Sequence, residues 1–175
     1  MDKPVYVTRF NNETFNQNRR YCETYDGKEW ECIYNTPVVF NNKTRENEHI
    51  YVLEMNNSIN KIVGIGLITQ HSYVRKHKMY IDPHYNRYSY EGKYRLDIND
   101  CTTEIIDIVT DLEKVIFYTK GHIKRGQGIQ CLPVNAYRVC EDICETRDKG
   151  LYDYIHELFM SKKMVGTDIH TKNDE

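Results

Sequence analysis

The chain has 175 residues, a length that suits one domain of ordinary size with a real hydrophobic core. Its 24 Lys and Arg residues against 26 Asp and Glu give a formal net charge of −2, so a polyanionic partner would need a local cluster of cations. Only 39% of the residues are apolar, but 15 tyrosines bring the aromatic fraction to 12%, which excludes a disordered polyelectrolyte.

Nothing in the sequence predicts a membrane segment. The continuous apolar runs are only a few residues long, as at residues 115–118, whereas a membrane-spanning helix needs about 20. The N-terminal segment contains Asp2, Lys3 and Arg9 and lacks the apolar core of a secretory signal. We therefore expect no membrane association and an intracellular, reducing location, where the six cysteines are free thiols.

The first part of the chain predicts a strand, a helix and a second strand. Residues 5–9 alternate bulky and polar side chains, and Asn11 or its neighbour can cap a helix over residues 12–24. Residues 33–40 carry β-branched and aromatic side chains, and Pro37 makes this segment an edge strand or a bent one.

The clearest local signal is a β-hairpin. Apolar runs at residues 50–55 and 61–68 flank a turn-forming segment at residues 56–60. Gly64 and Gly66 lie on the same face of the second strand, which indicates a bulge or the close approach of another backbone. A GxG inside a strand, without a third glycine, is weak evidence for a nucleotide-binding loop.

The second half of the chain predicts one more strand and three helices. A strand is expected at residues 94–98. Apolar side chains at three- and four-residue spacing predict a helix over residues 104–116, although their β-branched content leaves a strand open. A loop covers residues 119–130, and two helices follow, one capped by Asn135 and a terminal one that ends before Gly166.

These elements predict an α+β protein. The sequence contains no internal repeat and no long linker. We therefore expect one domain at residues 1–134, with a C-terminal helical extension at residues 135–175 that packs on the same domain.

Residues 120–128, the basic loop, are the strongest candidate for a site. They hold three fixed positive charges, three glycines and no acidic residue. Glycine lets backbone amides approach a ligand closely, while Lys and Arg bind phosphate and Arg or Gln can hydrogen-bond base edges. The equally weighted alternative is a solvated basic turn, because exposed charge is the default. The candidate residues are Lys120, His122, Lys124, Arg125 and Gln127.

The second candidate is the segment at residues 71–95, where six cations and six tyrosines accompany only two carboxylates. Single-stranded nucleic acid needs this combination, because bases stack on rings for roughly 1–3 kcal/mol each while cations hold phosphates. Its candidate residues are the cations Arg75 and Lys76 and the stacking side chains Tyr85 and Tyr88. The alternative of equal weight is that many of these tyrosines cover sheet edges.

Other chemistries have weaker signals. The six cysteines and seven histidines include no CxxC pair, so we predict no metal site and no cofactor. His122 could act as a general acid–base on a phosphodiester, but no second catalytic partner is recognisable. An enzyme that processes nucleic acids or nucleotides is therefore the alternative to a binding module. A third alternative is a protein partner that docks on the acidic C-terminal helices at residues 141–157.

Three segments follow one another in a recognisable order. They are an opening strand at residues 5–10 with a helix behind it, a hairpin strand at residues 61–66, and a basic segment at residues 121–126 that leads to Pro133. This layout resembles the PUA-like superfamily, in particular its EVE and YTH-type branches. The resemblance implies a small, curved β-barrel flanked by helices that binds RNA or a modified base. Family members that read a methylated base use an aromatic cage, often with tryptophans, of which this chain has one, Trp30.

We therefore predict a nucleic-acid-binding module, with RNA favoured as the partner. Cations of the basic loop would bind phosphates, and Gln127 and Arg75 would contact bases or sugars. Trp30, with Tyr85 or Tyr88, would stack on bases. The Asn- and Tyr-rich composition also resembles that of proteins from large DNA viruses, for which the location would be the host cytoplasm or nucleus.

Overall fold

A computed structural model of the chain describes residues 3–25, 30–41, 49–68, 77–144 and 149–170, and of residues 140–144 and 163–170 it describes the backbone alone. Within these ranges the strands are β1 (Tyr6–Phe10), β2 (Cys32–Thr36), β3 (Ile50–Asn56), β4 (Lys61–Ile68), β5 (Tyr88–Gly92), β6 (Tyr94–Asp97) and β7 (Gln130–Cys131). The α-helices are α1 (Asn12–Thr24), α2 (Thr103–Tyr118), α3 (Val134–Cys144) and α4 (Leu151–His170), and short 3₁₀ turns lie at Pro83–Asn86 and Ile98–Asp100.

The described strands form two sheets. Five of them make a mixed sheet in the order β6-β4-β3-β1-β7, and β2 pairs with β5 in a separate two-stranded sheet. β1 runs parallel to β3, whereas the pairs β3–β4, β4–β6 and β1–β7 are antiparallel. The α+β class is confirmed. The strands in the described ranges do not close into a barrel, so the PUA-like barrel stays a prediction.

The observed bounds of the helices and strands agree with the predicted bounds at some positions and differ at others. α1 begins as expected because Asn11 and Thr14 form a capping box, in which each side chain accepts a hydrogen bond from the other residue's amide. β2 ends at Thr36, directly before Pro37, so the strand is shorter than predicted. The prediction that the terminal helix ends before Gly166 is wrong, because α4 continues to His170. None of the helices in the described ranges is long and apolar enough to cross a bilayer.

The five-stranded sheet lies between two hydrophobic cores, and side chains alternate between them along its central strands. Helices α2, α3 and α4 cover the first core, and β2, β5 and α1 cover the second. Both faces of the sheet are covered, and every residue of β3 is buried. The C-terminal helix α4 contributes Leu151, Ile155 and Phe159 to the first core. The boundary between residues 134 and 135 stays a prediction.

A buried ion pair crosses the five-stranded sheet. Arg95 of β6 donates from Nε and Nη2 to the carboxylate of Glu54 in β3, over distances of 2.6 to 3.1 Å. The hydroxyl of Tyr34 in β2 donates to the same carboxylate over 2.8 Å. Burial and the charge of Glu54 raise the pKa of Tyr34 well above its ordinary value, so its hydroxyl stays a donor at neutral pH. The carboxylate is therefore paired and hydrogen-bonded, as a buried charge must be.

Gly64 and Gly66 of β4 make room for this ion pair, because β4 lies between β3 and β6. A Cβ on Gly64 would overlap Nη2 of Arg95 and would lie 2.5 Å from Oε2 of Glu54. A Cβ on Gly66 would overlap the hydroxyl of Tyr34. The predicted close approach of another backbone is wrong at these two positions, because side chains occupy the space beside the glycines. The predicted bulge is present, as a shift in the β3–β4 register directly after Glu54.

Gly66→Ala is expected to destabilise the protein by about 1–3 kcal/mol, the usual cost of overpacking a filled site. The added methyl group must displace the hydroxyl of Tyr34. Urea denaturation followed by circular dichroism measures the change. Gly121→Ala is the control, because its Cβ would meet only flexible side-chain ends, the nearer one at 3.2 Å. A stability for Gly66→Ala equal to that of the wild type would contradict the described packing.

Candidate functional site

A cavity of about 250 Å³ lies where the carboxyl ends of β1 and β3 meet the basic loop. Because β1 and β3 are parallel, the residues that follow them, Asn11 and Asn57, lie at the same edge of the sheet. β7 runs antiparallel to β1, so the basic loop that precedes β7 reaches this edge as well. The lining residues are Thr8, Arg9, Phe10, Asn11, Thr14, Asn35, Pro37, Asn57, Tyr80, Tyr85, Lys124, Gly126, Gln127 and Gly128.

The lining of this cavity is cationic and partly aromatic. Arg9 and Lys124 carry positive charge, and no carboxylate occurs among the described lining residues. Phe10, Tyr80 and Tyr85 supply rings, of which that of Tyr85 is 40% exposed. Most of the other lining residues are neutral hydrogen-bonding side chains, chiefly Asn and Thr. This combination suits an anionic ligand that carries a flat ring.

Residues at the ends of β1 and β3 hold the basic loop in place. Nε of Arg9 donates to the carbonyl of Ile123, and Nδ2 of Asn57 donates to the carbonyl of Lys124 over 2.9 Å. The amide of Ile123 in turn donates to the carbonyl of Ile116 at the end of α2, over 2.9 Å. The loop is therefore anchored to the sheet and to a helix before any ligand arrives.

Two glycines let the basic loop pass close to Arg9. Gly126 has φ +149° and Gly128 has φ +71°, a backbone region that side chains disfavour. A Cβ on Gly126 would lie 3.0 Å from Cζ of Arg9, so the loop backbone packs directly on the guanidinium group.

Two polar atoms of the lining residues have no hydrogen-bond partner among the described residues. They are Nη1 of Arg9, a donor, and Oδ1 of Asn57, an acceptor, and both are buried. Burial also lowers the pKa of Arg9, since it disfavours the charged form. Because an unsatisfied buried polar group costs about 1–3 kcal/mol, a ligand that offers complementary groups would recover part of that energy.

The structure brings some of the predicted site residues together and separates others. Lys124 and Gln127 of the basic loop meet Tyr85 at the cavity, although they lie far apart in sequence. The other three candidates in the loop are exposed and do not line the cavity. They are Lys120, His122 and Arg125.

Two predicted stacking residues lie away from this cavity, and their stacking role stays a prediction. Trp30 borders a second cavity, of about 410 Å³, together with Arg19 and Asp97. Tyr88 is partly buried against the second core, where its strand pairs with β2. Arg75 and Lys76 lie outside the described residues.

Arg9 and Asn57 were not predicted as site residues. Arg9 is one polar residue in an alternating strand, and Asn57 belongs to an asparagine-rich turn that carries no chemical signal of its own. Their position at the end of adjacent strands would have indicated a site, because open sheets bind ligands at the carboxyl ends of parallel strands. That signal requires knowledge that β1 and β3 are parallel neighbours.

Among the described residues, no group of three His, Cys, Asp or Glu side chains lies close enough to hold a metal ion. Comparison with known proteins finds no protein family that matches the chain, and no curated protein or solved structure that is significantly similar to it. The geometry of the cavity is therefore the basis on which a function is proposed.

Asn57→Ala is expected to loosen the basic loop, because it removes the hydrogen bond to the carbonyl of Lys124. Hydrogen exchange of the amides at residues 123–128 will become faster, while the exchange of the central strands stays slow. Ser58→Ala is the control, since the Ser58 hydroxyl accepts from the amide of Asn12 and so binds α1 rather than the loop. Unchanged exchange of the loop in Asn57→Ala would contradict its role as an anchor.

Proposed function

We propose that this protein binds single-stranded nucleic acid, with RNA favoured, and holds one nucleotide in the cavity beside the basic loop. The observation that carries the proposal is the meeting of Arg9, Lys124 and Tyr85 at a cavity that has no carboxylate among its described lining residues. A nucleotide combines an anionic phosphate with a flat base, and this lining offers a partner for each of them.

Each group in the site has a role that its chemistry supports. Lys124 binds a phosphate, and the exposed cations Lys120 and Arg125 extend the positive surface along the strand. The exposed ring of Tyr85 stacks on the base. Gln127 and Asn57 hydrogen-bond the base edge or the ribose 2′-hydroxyl, the group that distinguishes RNA from DNA.

The resemblance to the PUA-like superfamily supports the same proposal. β1 is followed directly by α1, the β3–β4 hairpin comes later, after β2, and the basic loop leads to Pro133. This is the order of the segments on which the resemblance is based. The small, curved β-barrel that the resemblance implies is part of this proposal.

Combined Lys124→Glu and Arg125→Glu substitutions are expected to weaken the binding of single-stranded RNA at least about tenfold, because attraction to two phosphates becomes repulsion. The dependence of log Kd on log salt concentration should flatten by roughly one for each phosphate that the variant no longer neutralises. Fluorescence anisotropy with labelled RNA, DNA and duplex, over a range of salt concentrations, measures both quantities. The control combines Lys149→Glu with Lys162→Glu, which changes the net charge equally at residues that do not line the cavity.

Several outcomes of this assay would contradict the proposal. Equal affinity of both double variants would remove the basic loop from the binding site. Absence of binding by the wild type at about 100 mM salt would reject nucleic-acid binding and favour a protein partner. The wild type could also cleave or modify the labelled strand. If His122→Ala loses this turnover but still binds the strand, an enzyme that uses His122 is favoured.

Tyr85→Ala is expected to weaken binding by the energy of one base stack, about 1–3 kcal/mol, with little change in the salt dependence. Tyr85→Phe should retain most of the affinity, because the ring rather than the hydroxyl makes the contact. Tyr118→Ala is the control, as this tyrosine is 68% exposed and does not line the cavity. If Tyr85→Ala and Tyr118→Ala bind equally well, the base does not stack on Tyr85.

A further inference from the structure

Three side chains from three separate segments form a hydrogen-bonded chain behind the second core. Glu91 of β5 contacts Nε2 of His77, and Nδ1 of His77 lies 3.0 Å from the hydroxyl of Tyr21 in α1. His77 and Glu91 are each 2% exposed, whereas Tyr21 is only partly buried. The arrangement therefore runs from a buried carboxylate, through a buried imidazole, to a phenol that solvent can reach.

The carboxylate determines the roles of the two imidazole nitrogens. An ionised carboxylate only accepts hydrogen bonds. Nε2 of His77 is therefore protonated and donates a hydrogen bond to Glu91. In the neutral imidazole the other nitrogen, Nδ1, then has a free lone pair and accepts from the hydroxyl of Tyr21. A nucleophile, a base and a group that orients the base occur in this order in enzymes that use covalent catalysis.

Tyr21 and Tyr25 both lie next to His77, and Tyr21 makes the hydrogen bond to its imidazole. The rings of both tyrosines meet the imidazole of His77 edge-on, with centroids at 5.6 and 5.0 Å. The hydrogen bond to Nδ1 comes from Tyr21. Burial, with smaller contributions from Tyr25 and Glu91, raises the pKa of Tyr21, so its phenol is protonated at neutral pH and needs a base in order to react.

Tyr21 and the proposed binding cavity are linked by α1 and by Asn35. Thr14 lines the cavity, and Tyr21 lies seven residues further along the same face of α1, a distance of about 10 Å. Asn35 also lines the cavity, and its Nδ2 donates to the backbone carbonyl of His77. A nucleic-acid strand held in the cavity would cover this distance within about three nucleotides.

We propose that Tyr21 is a nucleophile that attacks a phosphodiester bond of the bound strand, with His77 as general base and Glu91 as the residue that positions it. The choice of a phosphodiester rests on the proposed function and on the exposed cations next to these residues in the chain, Arg20 and Lys78, which favour an anionic substrate. The nucleophile itself follows from the geometry alone.

The reaction exchanges one ester bond for another. The oxygen of Tyr21 forms a bond to phosphorus as the bond between phosphorus and one sugar oxygen breaks. The phenol proton passes to Nδ1 of His77, whose imidazolium the carboxylate of Glu91 stabilises, and the leaving sugar oxygen, on the opposite side of phosphorus, takes a proton from solvent. The products are a strand linked to Tyr21 through a phosphodiester and a strand with a free hydroxyl. The reverse reaction rejoins them, so no oxidant, reductant or water molecule is consumed.

The first test measures the reactivity of Tyr21 without any nucleic acid. The full-length protein is treated with an aryl sulfonyl fluoride, which modifies phenols that have a base nearby, and the modified tyrosines are identified by peptide mass spectrometry. Tyr21 should react at least about tenfold faster than Tyr25, since general-base assistance contributes roughly 10²–10⁴-fold in enzymes. The comparison is made within the wild-type protein, so it does not depend on the folding of a variant.

Two variants then test the roles of the other residues. His77→Gln should reduce the rate at Tyr21 to that at Tyr25. Glu91→Gln keeps the size of the side chain and an acceptor for Nε2, yet it should also slow the reaction at Tyr21, because it removes the charge that stabilises the imidazolium. Equal rates at Tyr21 and Tyr25 in the wild type would overturn the proposal.

The second test uses single-stranded RNA and single-stranded DNA labelled with radioactive phosphorus at their internal phosphates. The wild type should form a covalent adduct that survives denaturation in detergent. Whether the adduct forms with RNA or with DNA identifies the substrate. Tyr21→Phe should abolish the adduct while its circular dichroism spectrum matches that of the wild type, and Tyr25→Phe should form the adduct normally. Binding without an adduct in either arm would overturn the phosphodiester reaction and leave the proposed binding function intact. Fast sulfonylation without any binding would overturn the proposed function instead.

Discussion

The buried carboxylate of Glu54 constrains the arrangement of both sheets. It lies in the middle of the central strand β3, where an unpaired charge would be prohibitive, and its partners come from β6 and β2. Burial alone would lower the pKa of Arg95, but the charge and hydrogen bonds of Glu54 outweigh it and raise the pKa, so the guanidinium remains charged. Tyr34 joins the two-stranded sheet to the same carboxylate. Because the pair passes over β4, the strand must carry Gly64 and Gly66 there.

A net charge of −2 is compatible with a cationic cavity, because part of the negative charge is paired elsewhere in the fold. Two glutamates that are 5% exposed or less each contact a fixed cation, so their negative charges are compensated within the fold. At the cavity, in contrast, Arg9 and Lys124 face no described carboxylate. The local potential there is set by the few groups that the strand ends bring together, and net charge does not report it. The pairs are Glu54 with Arg95 and Glu113 with Lys61.

The predictions from sequence succeeded where the signal is local. The cap at Asn11 and the turn between two apolar runs lie within a few residues of the elements that they define, so α1 and the β3–β4 hairpin are present as expected. β5 was missed because its Glu91 is polar but buried, and that burial is tolerable because Glu91 contacts distant partners, among them His77. Trp30 and Tyr85 look alike as aromatic candidates in the sequence, yet they border different cavities, because their segments pack on different parts of the sheet.

The sequence by itself determined the α+β class, most of the helices and strands, the bulge in the β3–β4 hairpin and the basic loop, since each depends on neighbouring residues or on a simple period. The tertiary structure decided which of these segments meet. The parallel pairing of β1 with β3 joins residues more than 40 positions apart and puts Arg9 and Asn57 beside the basic loop. The tertiary structure also brings Tyr21 into contact with His77, which lies 56 positions further along the chain. Such contacts depend on the burial of shared apolar faces and on the pairing of buried polar groups, which are properties of the folded chain and leave no periodic trace in the order of its residues.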